Sequence, residues 1–187
     1  LVNGWLEGDN IYSTVCDDRA AVKQAVSLLI GSGHRKVLYL YSSYSHSGLN
    51  KLDGYKDALT AAGLPVQPEL IHQCAKDVEA SRDLLLSLAD EGLTFDAVMT
   101  SDDSLAVGAV KYAHARGISI PGDLSIVGYN NSLLALCTDP EITSVDSKVE
   151  ALCTTTVNTL MGVFSGVNVP SRTTIASDLI KRSTTNF

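Results

Sequence analysis

The stretch Phe95–Tyr129, FDAVMTSDDSLAVGAVKYAHARGISIPGDLSIVGY, decides the fold. Its first five residues, FDAVM, are a short apolar run that reads as a buried strand. A polar turn, Thr100-Ser101-Asp102-Asp103, follows. Ser104 to Arg116 reads as a helix closed by Gly117, a residue that tolerates the left-handed turn at a helix end. Leu124–Tyr129 (LSIVGY) is a second short apolar run. Strand, helix and strand in one stretch form a βαβ unit, and such units build a parallel sheet covered by helices.

The alternation extends in both directions. Upstream, Lys36–Tyr41 (KVLYLY) predicts a buried strand, Ser47 to Ala62 a helix stopped by Gly63, Glu69–Gln73 a weak strand and Val78 to Asp90 a Leu-rich helix. Before these, Tyr12–Cys16 is a short β-branched run. Asp17-Asp18 then precede a helix with Ala21, Val22, Ala25, Val26, Leu28 and Leu29 at helical spacing. Downstream, Ile142–Val145 reads as a strand, Val149 to Phe164 as a helix and Thr173–Ile180 as one last strand. The fold class is therefore α/β, a doubly wound parallel sheet. In such sheets ligands bind at the carboxyl ends of the strands.

Composition narrows the function. The 187 residues carry 14 Lys+Arg against 21 Asp+Glu, a net charge of −7, which disfavours phosphate-backbone contact by this segment. Hydrophobic residues at 45% suffice for a packed core, and no apolar run approaches the roughly 20 residues of a membrane helix. Cys16, Cys74, Cys137 and Cys153 form no C-x-x-C, which favours reduced thiols and a cytoplasmic location. The start, Leu1-Val2-Asn3-Gly4, has neither Met nor a secretory signal and reads as the interior of a longer chain.

The residues after each strand are Ser42–Gly48, Cys74–Asp77, Thr100–Asp103 and Asn130–Ser132. Their hydroxyls, amides and carboxylates suit a polar, polyhydroxylated small ligand. Asp103 and Ser104 are expected to cap the helix that follows, whereas Asp102 and Asn130 fit ligand contact or turn chemistry equally. Enzyme chemistry is not expected: G-x-S-x-G, G-x-G-x-x-G and the phosphate-loop pattern are all missing. Asp17-Asp18 and Asp102-Asp103 evoke a phospho-acceptor domain, but the only Lys directly after a later strand is Lys181, near the chain end. The four His show no paired ligand spacing, so neither a metal nor a cofactor is expected. His34 reads as a turn and cap residue rather than a catalytic base, and Trp5 as a packing residue rather than one that stacks on a ligand.

Six co-linear segments resemble the lactose-repressor type (LacI/GalR) of transcription regulator. They are Ser32–Val37 (SGHRKV), Lys51–Tyr55 (KLDGY), Ala61–Leu64 (AAGL), Thr100–Ala109 (TSDDSLAVGA), Gly117–Asn131 (GISIPGDLSIVGYNN) and Pro140–Val145 (PEITSV). The resemblance implies a periplasmic binding protein-like (type I) sensor domain, mostly its C-terminal lobe. That lobe would comprise residues 19–145 and 166–187. Residues 1–18 and 146–165 would be remnants of the N-terminal lobe, and the DNA-binding helix-turn-helix would lie upstream.

The resemblance also implies site residues. Lys51 falls where the family usually has an effector-binding Arg, and Lys76 where many members have an aromatic platform. Asp102 falls on the family's Asn and Asn130 on its Asp. Ser47 matches a ligand-touching loop position, and Asn3 a polar position of the N-terminal lobe. Lys cannot form the bidentate fork of Arg, so a polar, sugar-like effector is expected rather than any particular sugar. A homodimer would form through Leu105, Val107, Leu133, Leu134 and Leu136, with ordinary core packing as the competing reading for each. Operator DNA would be a partner only through the upstream domain. The alternatives are a periplasmic sugar-binding protein of a transport system and an enzyme on the same sheet. Half a cleft would bind effector weakly.

Overall fold

The structure, a computed structural model, describes residues 1–187. The expected units are present. Strand β1 (Ser13–Cys16) leads into helix α1 (Asp18–Gly31), then β2 (Val37–Tyr41), α2 (His46–Ala61), β3 (Ile71–Gln73), α3 (Val78–Asp90), β4 (Ala97–Thr100) and α4 (Asp103–Arg116). After β5 (Ser125–Tyr129) come a short helix α5 (Leu133–Leu136), β6 (Thr143–Asp146), α6 (Val149–Phe164), β7 (Arg172–Ile175) and β8 (Asp178–Ile180).

Local chemistry sets the helix starts. The side chains of Asp17, Ser45, Asp77 and Asp102 each accept from a backbone N–H of the first turn of α1, α2, α3 and α4 respectively. Asp102 is therefore the cap of α4. The expected caps Asp103 and Ser104 are instead its first two residues, because the Asp102 carboxylate reaches the Ser104 N–H at 2.9 Å. Gly117 ends α4 at φ 65°, in the left-handed region.

Six strands form one sheet in the order β3-β2-β4-β5-β6-β8, parallel except that β8 runs antiparallel to β6. β2, β4 and β5 are buried along their whole length, as apolar strands covered on both faces must be. On one face α1 and α2 enclose a core of Val22, Val26, Leu29, Tyr39, Tyr55 and Met99. On the other, α3 and α4 pack around Leu38, Leu85, Leu105, Ile126 and Ile142. Gly54 lets α1 and α2 approach: a Cβ there would lie 2.3 Å from the Arg19 carbonyl oxygen. No helix is long and apolar enough to cross a membrane.

The chain end departs from expectation. Thr173–Ile180 is not one strand. β7 pairs in parallel with β1 in a separate two-stranded sheet, while β8 joins the large sheet. Residues 172–175, expected to lie with 178–180, are thus in the sheet of β1. The run TTIASDLI contains no Gly or Pro to mark the change of sheet; only the available edges, β1 and β6, decide it. Helix α6 packs on β1. The chain passes between the two sheets at 16–18, at 146–148 and at 175–178. These crossings are tied by Asp17 N–H to Ile175 O at 2.9 Å and by the Lys148 ammonium to Asp146 and Asp178 at 3.1 and 2.8 Å.

Candidate functional site

The strand order places the site. From β2 the chain moves outward to β3, returns past β2 to β4 and continues to β5. The connections thus leave in opposite directions at the carboxyl ends of β2 and β4, which opens a crevice between them. A cavity of about 480 Å³ lies there, lined by eleven residues, none of them hydrophobic. The loop after β2 supplies Ser42, Ser43 and Ser45, and the first turns of α2 supply Ser47, Gly48 and Lys51. Lys76 follows β3, Ser101 and Asp102 follow β4, Asn130 follows β5, and Asn3 comes from the segment beside β1. All six residues singled out from the sequence for the effector are brought to this one cavity.

Asp102 organises the centre. Its Oδ1 accepts from the Ser104 N–H at 2.9 Å and from the Ser104 hydroxyl at 2.7 Å. Its Oδ2 accepts from the Asn130 amide at 2.8 Å and pairs with the Lys76 ammonium at 2.6 Å. Burial acts to raise its pKa, but the bonds from Lys76 and Ser104 outweigh burial and hold the carboxyl below its usual range. The carboxylate and amide expected at 102 and 130 thus bond each other. Asn130 and Asn131 sit at φ 99° and 50°, a left-handed turn that Asn tolerates better than most residues.

Lys51 is the most buried cation of the site, only 8% exposed. Its ammonium donates to the Ser101 carbonyl at 3.2 Å and lies 3.6 Å from the centre of the Tyr129 ring. Desolvation lowers its pKa against the opposing pull of Asp18 and Asp102. Behind the ring, the Tyr129 hydroxyl donates to the buried Asp18 carboxylate.

A second carboxylate supports the floor. Asp103 accepts from the Ser144 hydroxyl at 2.6 Å and from the N–H and hydroxyl of Ser132 at 2.7 and 2.8 Å, joining α4, β6 and the loop after β5. Burial pushes its carboxyl up despite these bonds. Gly128 makes the approach possible: a Cβ there would stand 2.2 Å from Asp103 Oδ1.

Other expectations resolve differently. Leu105 is completely buried in the core, so it is removed from the expected dimer surface, because the helix turns it onto the sheet. Val107 is partly buried against the same core. Leu133, Leu134 and Leu136 on α5 are 73%, 41% and 49% exposed. His34 bonds the Ser125 hydroxyl at 2.9 Å and fixes the turn before β2. Trp5 stands under the Arg172 guanidinium, 5.0 Å away, outside the polar cavity. No group of three or more His, Cys, Asp or Glu could hold a metal ion. Ser42, Ser43, Ser45 and Ser101 were not singled out from the sequence; their position directly after a strand is the only signal that marks them.

Comparison with known proteins agrees with the fold. The profile of periplasmic binding protein-like domains matches residues 26–185. An HTH-type transcriptional regulator of Lachnoclostridium phytofermentans is 52% identical over all 187 residues, which cover 56% of that protein. The chain spans about half the length of the curated relatives it matches. The crystal structure of the Escherichia coli transcriptional repressor AscG superposes with a TM-score of 0.88 at 28% identity, covering 98% of this chain and 67% of that one. The transcriptional regulator CelR in its cellobiose complex gives 0.88 at 25% identity, covering 96% and 56%. The chain belongs to the family of periplasmic binding protein-like domains, in the form shared by the LacI/GalR-type transcriptional regulators.

Proposed function

We propose that this chain is the small-molecule-sensing and dimerisation domain of a cytoplasmic, DNA-binding transcriptional repressor, and that its effector is a sugar or a similar polar metabolite. One observation carries the reading. Six polar residues from five separate segments, Asn3, Ser47, Lys51, Lys76, Asp102 and Asn130, meet in a cavity without a hydrophobic residue. Such a wall offers hydrogen bonds rather than an apolar grip. The cellobiose complex of CelR shows that a protein of this shape holds a sugar, and the names of the relatives favour regulation over the transport alternative.

Residues 19–145 and the segment from β8 onward are assigned to the C-terminal lobe, and the sheet of β1 and β7 with α6 to remnants of the N-terminal lobe. The exposed Leu133, Leu134 and Leu136 of α5, with the partly buried Val107 of α4, are the surface proposed for the homodimer. Operator DNA is contacted only by residues outside this chain, and two copies set the spacing of two half-sites. Effector in the cavity shifts how the lobes close and hence that spacing, a coupling between distinct sites. The protein acts by binding, without turnover and without a cofactor.

A thermal-shift screen of the full-length protein against sugars, polyols and nucleosides tests this, since a ligand of the native state raises the midpoint by mass action. The ligand found should change operator affinity in a gel-shift assay. Turnover of that ligand, abolished by Asp102→Ala, would replace the sensor reading with an enzymatic one.

A further inference from the structure

The hydrogen-bonding capacity of the cavity is lopsided. A carboxylate offers about four acceptor sites, and Asp102 has four donors on it already: the Ser104 N–H, the Ser104 hydroxyl, the Asn130 amide and the Lys76 ammonium. The Asn3 side-chain oxygen is occupied by the Cys16 N–H at 3.3 Å, and that of Asn130 by the Ser147 hydroxyl at 3.5 Å. The carboxylate and side-chain amide acceptors of the wall are therefore used internally.

Donors remain in surplus. An ammonium has three N–H groups. Lys51 spends one on the Ser101 carbonyl, and no carboxylate lies within ion-pair distance of it, whereas Lys76 and Lys148 have such partners. Lys76 spends one on Asp102 and its side chain is 61% exposed. Five serine hydroxyls and the first turn of α2 add further donors to the same wall. Each hydroxyl of a neutral sugar brings a donor that needs an acceptor from the wall as well as lone pairs that accept, whereas an anionic group only accepts. Nothing here stacks on a sugar face, because no aromatic residue lines the cavity. A buried ammonium without a carboxylate at ion-pair distance is costly, and a bound anion offsets that cost.

We propose that the effector is an anionic carbohydrate, a sugar carrying a phosphate or a carboxylate, with the anionic group held by Lys51, Lys76 and the serine-rich start of α2. This rests on the sensor reading above and names the ligand class it left open. Lys76 swings from Asp102 to the anion, and Asp102 then accepts from the sugar hydroxyls in its place.

The test is calorimetric titration of the full-length protein with matched sets: glucose, galactose and fructose, their 6-phosphates, and glucuronate and galacturonate. The anionic member of a set should bind at least about tenfold more tightly than its neutral parent, and the phosphate and carboxylate arms tell the two groups apart. Lys51→Met and Lys76→Gln should each lower that affinity by about tenfold or more, the effect of one hydrogen bond to a charged group. Lys76 is largely exposed, so its variant keeps the fold even where Lys51→Met does not. A neutral parent that binds as tightly as its anionic partner overturns the inference and leaves the sugar-sensor reading standing. Unchanged affinity in Lys76→Gln and in a folded Lys51→Met also overturns it. No binding by any member of the sets overturns the inference, and an empty screen of sugars, polyols and nucleosides overturns the sensor reading with it.

Discussion

Replacing Asp102 by Ala removes four interactions at once, and their sizes are separable. The capping bond to the Ser104 N–H contributes about 1 kcal/mol. The buried Ser104 hydroxyl and the half-buried Asn130 amide each lose a charged acceptor, about 1.5–3 kcal/mol apiece if independent. They share one carboxylate, so their losses do not add in full. The Lys76 pair adds less than about 1 kcal/mol, because its ammonium is 61% exposed and screened. The total is about 3 kcal/mol. At about 2–4 °C per kcal/mol for a chain of this size, the midpoint should fall by about 6–12 °C. Asp102→Asn retains an acceptor for Ser104 but turns an NH2 toward Lys76 and Asn130, so about half of the loss is expected.

Circular dichroism melts of the three proteins measure this, and pH supplies a second axis. The Asp102 carboxyl titrates below its usual range in the folded state, so the stability it contributes is present above the unfolded value. That contribution is lost as pH falls through the folded one. The gap between wild type and Asp102→Asn should therefore be full at pH 6 and narrow as pH falls below about 4. A fall of less than about 2 °C in Asp102→Ala, or a gap that does not narrow at all as pH falls below about 4, would show that Asp102 does not organise the site.

Gly128→Ala should destabilise by about 1–3 kcal/mol or more, since its Cβ meets Asp103 Oδ1 at 2.2 Å with no room to yield; a urea midpoint within error of wild type refutes the close approach. Leu133→Glu combined with Leu134→Glu should leave the far-UV circular dichroism spectrum of the folded chain unchanged, because both side chains are exposed, yet convert a dimer to monomer in light scattering. A variant that stays dimeric removes α5 from the interface. The Cys16 and Cys74 thiols are buried, with Cys16 pushed up to about 11, so both should resist alkylation at pH 8 until urea unfolds the chain. The exposed Cys153 should react at once, and protection of Cys153 with reaction of Cys16 would contradict the burial.

The elements were legible because each reports its own local chemistry. The expected helices Val78 to Asp90 and Val149 to Phe164 match α3 and α6 residue for residue. KVLYLY, FDAVM and LSIVGY are strands within a residue or two, since short apolar runs between turns have one stable solution in a covered sheet. α5 was missed: four residues give no readable period. The break inside Thr173–Ile180 was missed because strand pairing depends on which edge is open, and no residue in the run records that.

The same division holds for the site. By itself the sequence determined that polar residues follow each strand and, through the family resemblance, which six of them to expect together at one site. Only the tertiary structure decided how their bonds are shared. Asp102 became the cap of α4, Asn130 its partner and Leu105 a core residue, while Lys51 was left without a carboxylate. Periodicity and turn chemistry act between near neighbours along the chain. Which donors meet which acceptors is set by strands and loops tens of residues apart, once the sheet order has brought their ends together.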